Sequence, residues 1–239
     1  MKITCFLLML NLSIFAQQSF EVNYGVVFEF SENDKKNSHI NPMLEMAKMA
    51  ENEIKFMLQY KNGKTIFVKP NTGIKSDEYE IASAFVDADN IYYTDIINRT
   101  SYIEITENDL FKKNEFIVLD SLKLKWNLID STKIINNFKC FYANTILNKN
   151  QYNTNNDVLV EAWYTPEIPV SSGPKNFNGL PGLILYLRIN KTIFKAEKIN
   201  FVKNDNEINL PVKGEMISNE KYYTIFRERA SKASLSRGY

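Results

Sequence analysis

The sequence predicts a mainly β fold: a β-rich α+β domain built on one strongly curved antiparallel sheet or open barrel, with one or two packed helices. Three observations predict it. Short segments of period-two alternation follow one another over most of the 239 residues. Turn dipeptides join them where parallel strands would need crossovers of about a dozen residues or more. Ten or so strands in one sheet would also curl or close. A two-sheet β-sandwich is the alternative arrangement. No internal repeat or long linker divides the chain.

Taken in order, residues 20–30 open the first strand. Phe20, Val22, Tyr24, Val26 and Phe28 fall on one side, with Glu21 and Asn23 opposite. Residues 31–38 are polar and form a loop. Asn41 and Pro42 read as the cap and first position of a helix. Met43, Leu44, Met46, Ala47 and Ala50 then recur at helical spacing, ending near Asn52 and packing on the concave face of the sheet. Residues 54–60 and 65–68 alternate around Asn62-Gly63, a hairpin signal because both turn positions need φ > 0. Residues 74–85 fit a second short helix. Residues 91–94 and 102–106 pair around Asn98-Arg99. Residues 115–119, 125–128, 138–147 and 158–164 read as successive strands, with an Asn-rich tip over 148–157. Residues 183–189 and 192–201 form a hairpin over Asn190-Lys191. Ser218-Asn219-Glu220 opens a final helix to about Arg229.

Domain boundaries follow from composition. Residues 1–16 have the form of a secretory signal peptide: Lys2 is the basic start, residues 5–12 are mostly apolar, and Ala16 precedes a cut before Gln17. The apolar run is short for a membrane span of about 20 residues. Residues 17–230 form a single β-rich domain, and 231–239 a flexible C-terminal tail. The expected location is periplasmic or extracellular. Losing Lys2 leaves 28 basic and 28 acidic residues. That balance argues against nucleic acid as a partner. The basic cluster of Arg227, Arg229, Lys232 and Arg237 reads as a solvated end.

Catalytic chemistry finds little support. The lone histidine, His39, excludes a multi-His metal site, so no metal and no cofactor is expected. Glu161 and Glu167 flank an aromatic pair, but solubility explains them better than a glycosidase-like dyad. Without Cys5 in the mature chain, Cys140 cannot form an internal disulfide and reads as a buried structural thiol. No catalytic residue is assigned, and an enzyme is the last of three functional readings.

The segment 163–184, WYTPEIPVSSGPKNFNGLPGLI, concentrates the unusual chemistry. It holds four prolines and three glycines among Trp163, Tyr164, Ile168, Val170, Phe177, Leu180, Leu183 and Ile184. Proline and glycine at this density exclude a regular helix or long strand. A stiff, apolar loop must pack on something. In the structural reading, Pro181-Gly182 makes a type II turn with Gly182 at positive φ. In the functional reading, Trp163, Tyr164, Phe177 and Leu180 line the mouth of an apolar pocket, with Pro181, Gly182, Leu183 and Ile184 completing the site and Gly173, Pro174 and Gly179 shaping the loop.

The hexapeptide Gly179-Leu180-Pro181-Gly182-Leu183-Ile184 resembles the signature of the GLPGLI family. The likeness extends to residues 116–122, to Lys125-Trp126-Asn127-Leu128, to Asn137-Phe138-Lys139-Cys140 with Ala143, to Ala162-Trp163-Tyr164-Thr165, and to Ile168-Pro169 and Gly173-Pro174. Asn137 replaces the usual glycine. Lys175-Asn176 precedes Phe177 where an aromatic is common. The resemblance implies a secreted bacterial protein of uncharacterised function and carries over no catalytic residue. The first functional expectation is a non-enzymatic binding or carrier module for an apolar ligand or lipidated polypeptide. The second is a structural module docking an envelope protein through residues 163–184.

Overall fold

The computed structural model describes residues 19–36, 41–120, 124–147, 157–202 and 207–236. The signal-like residues 1–16, His39, residues 148–156 of the Asn-rich tip and Arg237 lie outside the described residues.

The alternating residues of the first strand, β1 (Ser19–Phe28), do go to opposite faces: Phe20, Val22, Tyr24, Val26 and Phe28 are all at most 2% exposed. Two antiparallel neighbours flank it, β2 (Lys55–Lys61) and β11 (Thr192–Val202). Outward from β2 run β3 (Lys64–Val68), β4 (Ile91–Asp95), β5 (Thr100–Glu104) and β6 (Phe116–Asp120), with β12 (Glu215–Ser218) at that edge. Outward from β11 run β10 (Leu183–Ile189), β9 (Val158–Thr165), β8 (Phe138–Leu147) and β7 (Asn127–Ile135) at the other edge. All twelve described strands belong to one sheet, which sets the two-sheet sandwich aside. With 44% strand against 23% helix the fold is mainly β.

The sheet is curled. One core cluster takes in Tyr92 of β4, Phe67, Phe56, Tyr24, Phe194, Leu187, Ala162 and Ala143 of β8, which lie on successive strands. Their register partners keep them on one face: Tyr92 opposes Phe67, Phe56 opposes Tyr24, and Leu187 opposes both Phe194 and Ala162. Stacked and edge-on rings fill the centre, with Phe56 and Phe67 4.7 Å apart and both within 6.1 Å of Phe194.

Two hairpins in which both turn residues are left-handed explain themselves locally. Asn62 (φ 49°) and Gly63 (φ 78°) turn β2 into β3 as the Asn-Gly pair predicts. Asn136 (φ 49°) and Asn137 (φ 66°) make the same turn between β7 and β8. Asparagine supplies the left-handed backbone there without glycine.

The helices are α1 (Glu32–Lys35), α2 (Asn41–Ala50), α3 (Asp77–Phe85) and α4 (Asn219–Ser236). Asn41 is the first helical residue of α2, and its Oδ1 makes no hydrogen bond, so it is not a side-chain cap. The buried stripe of α2 is Leu44, Ala47 and Ala50; Met43 is 47% exposed and stands outside it. α2 packs on α3, whose Ser76 cap accepts from the Tyr79 N–H at 3.1 Å.

Two further features depart from the expectations. β12 runs parallel to β6, since the long excursion through β7–β11 lets the chain return in the same direction. The C-terminal helix continues through residues 231–236, expected as tail, because Ala230, Ala233 and Leu235 are good helix formers. It docks through Arg229, which holds both Glu115 oxygens (2.7 and 3.0 Å), donates to the Leu110 carbonyl at 2.8 Å and lies 5.0 Å from the Phe111 ring. Arg229 is therefore not part of a solvated basic end.

Candidate functional site

The crossover between β9 and β10 is built from tight turns. Pro169 sits inside an i→i+2 bond from the Val170 N–H to the Ile168 carbonyl (2.7 Å), and Ser171 inside one from Ser172 to Val170 (2.8 Å). Pro181 sits inside a third, from Gly182 to Leu180 (2.8 Å). These are inverse γ-turns, and in the first and third the proline ring presets φ. The expected type II turn at Pro181-Gly182 is thus corrected. Gly182 does not adopt positive φ; it is glycine because a β-carbon would lie 2.1 Å from the Thr165 carbonyl oxygen. Gly179 is the residue of the hexapeptide at positive φ, 91°.

The crossover lies on the inner face and is tied there by buried polar groups. Thr65, Thr94 and Ser101 oppose one another on β3, β4 and β5, forming a hydroxyl row across three strands. Ser172 Oγ donates to Thr65 Oγ1 at 3.2 Å. Thr94 Oγ1 donates to Asn176 Oδ1 at 3.0 Å, and Asn176 Nδ2 donates to the Tyr102 carbonyl at 3.1 Å. Asn178 Nδ2 reaches Ser101 Oγ at 3.4 Å, while its carbonyl accepts from Trp126 Nε1 at 2.7 Å. At the root, Tyr24 Oη donates to the Ile184 carbonyl at 2.6 Å. From β10 to β5 is six strand steps, roughly 29 Å across a flat sheet at the usual spacing. Curling brings the two halves under one short loop.

The residues expected to line a pocket are dispersed. Trp163 lies on the outer face, 5.0 Å from the Tyr142 ring and 4.1 Å from Lys133 Nζ. Its neighbour Tyr164 points inward, as strand alternation demands. Leu180, Leu183 and Ile184 are at most 1% exposed and belong to the core cluster. Gly173 and Pro174 are buried, and a β-carbon on Gly173 would lie 2.7 Å from Ile184 Cβ. Pro181 and Gly179 are exposed. Phe177 is the residue of the expected site that borders a described cavity. Glu161 accepts from Tyr142 Oη (2.7 Å) on the outer face, and Glu167 accepts from the Lys139 N–H (2.7 Å). Cys140 is fully buried, and desolvation pushes its thiol up to about 11.

Beside the crossover are two cavities, of about 630 and about 340 Å³. The larger has Phe30, Leu44, Phe85, Val86 and Phe194 in its wall. The smaller has Ile103, Ile105, Leu147, Phe177 and Phe226, with Tyr92, Tyr222 and Tyr223. Asp87, Val158, Lys175 and Ile189 line both. Lys175 Nζ meets Asp87 Oδ2 at 2.8 Å. Both residues have left-handed backbones, φ 52° and 46°. Burial is the main cause that raises the three phenols, and the Asp87 charge adds to it; Tyr222 is pushed up to about 12.

Sequence reasoning missed Lys175, Asp87 and the tyrosines. Asp87 and Lys175 are separated by 88 residues and belong to no local motif. The one available signal was the polar Lys175-Asn176 pair inside an apolar segment.

Residues 147–186, from the end of β8 to mid-β10, match the family described as "Protein of unknown function (Porph_ging)". No curated protein matches the chain. Among solved structures it is similar to PNGF-II in two crystal forms. The P21 form matches at 16% identity and TM-score 0.56, over 89% of this chain and 34% of that one. The C2 form matches at 16% identity and TM-score 0.55, over 89% and 33%. The chain thus spans about a third of the length of the structures it matches. At that identity the likeness concerns the fold.

Proposed function

We propose that the chain is an exported, non-enzymatic binding module of the GLPGLI type, holding an apolar ligand in the paired cavities beside the crossover. The observation that carries this reading is the shared wall of Val158 and Ile189 between two cavities within the size range of small-molecule sites, roughly 300–1,000 Å³. The crossover serves as the rigid floor: its apolar side chains face the core, while Lys175 and Phe177 reach the cavities. The test is titration of the neutral fluorophore N-phenyl-1-naphthylamine into the purified protein. Saturable enhancement that Ile189→Trp abolishes, with the fold retained by circular dichroism, agrees with the reading. Absence of saturable binding contradicts it.

A second reading has its own observation. β7 is an edge strand with Leu128, Ile129 and Ile134 at 58, 38 and 67% exposure, and Ile146 beside it on β8 at 65%. An exposed apolar edge is a template for strand pairing with a protein partner. Photo-crosslinking from Ile134 tests this; capture of the same protein at Ile134 and Leu128, and not at Ile97, agrees with it. Ile168, Val170, Phe177, Leu180, Leu183 and Ile184 are buried and leave residues 163–184 little apolar surface for the same role.

A further inference from the structure

The junction between the two cavities has a charge pattern that a purely apolar ligand would not need. Lys175 is the ammonium at that junction, and only 16% of its side chain is exposed. Its partner Asp87 is 62% exposed. The pair is therefore asymmetric: the cation is fixed in the wall and the anion stands at the solvent side. An ion pair with one partner this exposed is screened by water and weak. Exchange of Asp87 for another carboxylate costs little.

The donors around Lys175 point to the same chemistry. Tyr92, Tyr222 and Tyr223 line the smaller cavity, together with Asn90 and Asn219. Lys175 Nζ also lies 5.7 Å from the Tyr92 ring. Phenols held protonated by burial remain donors at neutral pH. Against these donors stand two carboxylates, Asp87 and Asp120, and Asp120 accepts from Asn219 Nδ2 at 3.1 Å. The charges of the larger cavity, Asp34 and Lys191, are paired with each other. The larger cavity, which Lys175 also lines, has apolar wall from Phe30, Leu44, Phe85, Val86 and Phe194.

We propose that Lys175 is the headgroup anchor for an anionic single-chain amphiphile, a long-chain carboxylate whose carboxylate displaces Asp87 and whose tail enters the larger cavity. This rests on the ligand-binding reading above and adds the charge of the ligand to it. Asp87 then acts as a resident competitor that fills the anion position when no ligand is bound.

The test is calorimetric titration of the full chain with dodecanoate, dodecanol and dodecylamine at neutral pH, below their micellar concentrations. Dodecanoate is expected to bind at least ten-fold tighter than dodecanol, and dodecylamine most weakly. Lys175→Met, which keeps the apolar stem, is expected to remove the preference for dodecanoate over dodecanol. Asp87→Asn tightens dodecanoate several-fold, which a merely structural ion pair would not do. Equal binding of dodecanoate and dodecanol, or a preference that survives Lys175→Met, overturns the headgroup assignment while the ligand-binding reading stands. Binding of none of the three overturns both.

Discussion

Thr94 and Asn176 are 82 residues apart in sequence and hydrogen-bonded at 3.0 Å in the interior, each 3% exposed. Asn176 accepts from the threonine hydroxyl with one amide atom and donates to the Tyr102 carbonyl with the other. It also holds φ 63°, a backbone that asparagine tolerates better than other side chains. One residue thus satisfies the middle of the Thr65–Thr94–Ser101 row and sets the direction of the chain into Phe177. Asn176→Leu should destabilise the protein by about 1–3 kcal/mol, since it strands two buried partners. Equilibrium urea unfolding checks this, with Asn178→Leu, at the half-buried end of the row, expected to cost less.

Gly182 and Thr165 mark the neck where the crossover closes. With a β-carbon 2.1 Å from a backbone oxygen, the neighbour cannot swing aside as a side-chain end would. Gly182→Ala should cost about 1–3 kcal/mol through overpacking. Gly179→Ala would meet Trp126 only at ordinary contact, 3.5 Å, so its cost comes from its φ of 91°. Thermal unfolding of both variants separates the two mechanisms: relaxing the Thr165 side chain with Thr165→Ala should not rescue Gly182→Ala, because the clash is with the backbone.

Alternation made β1, β2, β3 and β11 legible, because each buries one face and exposes the other, and the Asn62-Gly63 turn fixed their first hairpin. β7 was underread at 125–128, since a strand exposed on nearly all of its residues shows no apolar period to find. β12 was missed because four residues paired in parallel with a distant strand leave no local signal. The crossover's apolar content showed that it must pack on something, and left open whether that was the core, a ligand or a partner. Its polar anchors were not legible, because Ser172, Asn176 and Asn178 read as ordinary loop residues until their partners on β3–β5 are in place. The Lys175–Asp87 junction was invisible for the same reason.

The C-terminal helix should be acid-labile. Arg229, hydrogen-bonded to both Glu115 oxygens, holds that carboxyl down to about 2. A depressed folded value means that the contribution to stability is present above the ordinary glutamate range and is lost as pH falls through about 2. Proteolysis within residues 219–236 by an acid protease should therefore rise between pH 5 and pH 2. Arg229→Gln should show rapid cleavage across the whole range, with no pH step.

Cys140 should be inert while the protein is folded. It is 0% exposed and its thiol is raised to about 11 by burial, so the reactive thiolate is scarce at neutral pH. A maleimide should label it only on unfolding, with a rate that follows the denaturant transition. Rapid labelling of the native protein at pH 7 would contradict its placement in the core cluster.

The account depends most on the crossover being part of the interior, and native-state hydrogen exchange measures that directly. The amides of Val170, Ser172, Gly182, Leu183 and Ile184 all donate to carbonyls within the crossover or its root. They should exchange as slowly as the central amides of β1, at the level of global unfolding. Exchange of these five amides at rates typical of surface loops, while β1 stays protected, would contradict an inward-anchored crossover.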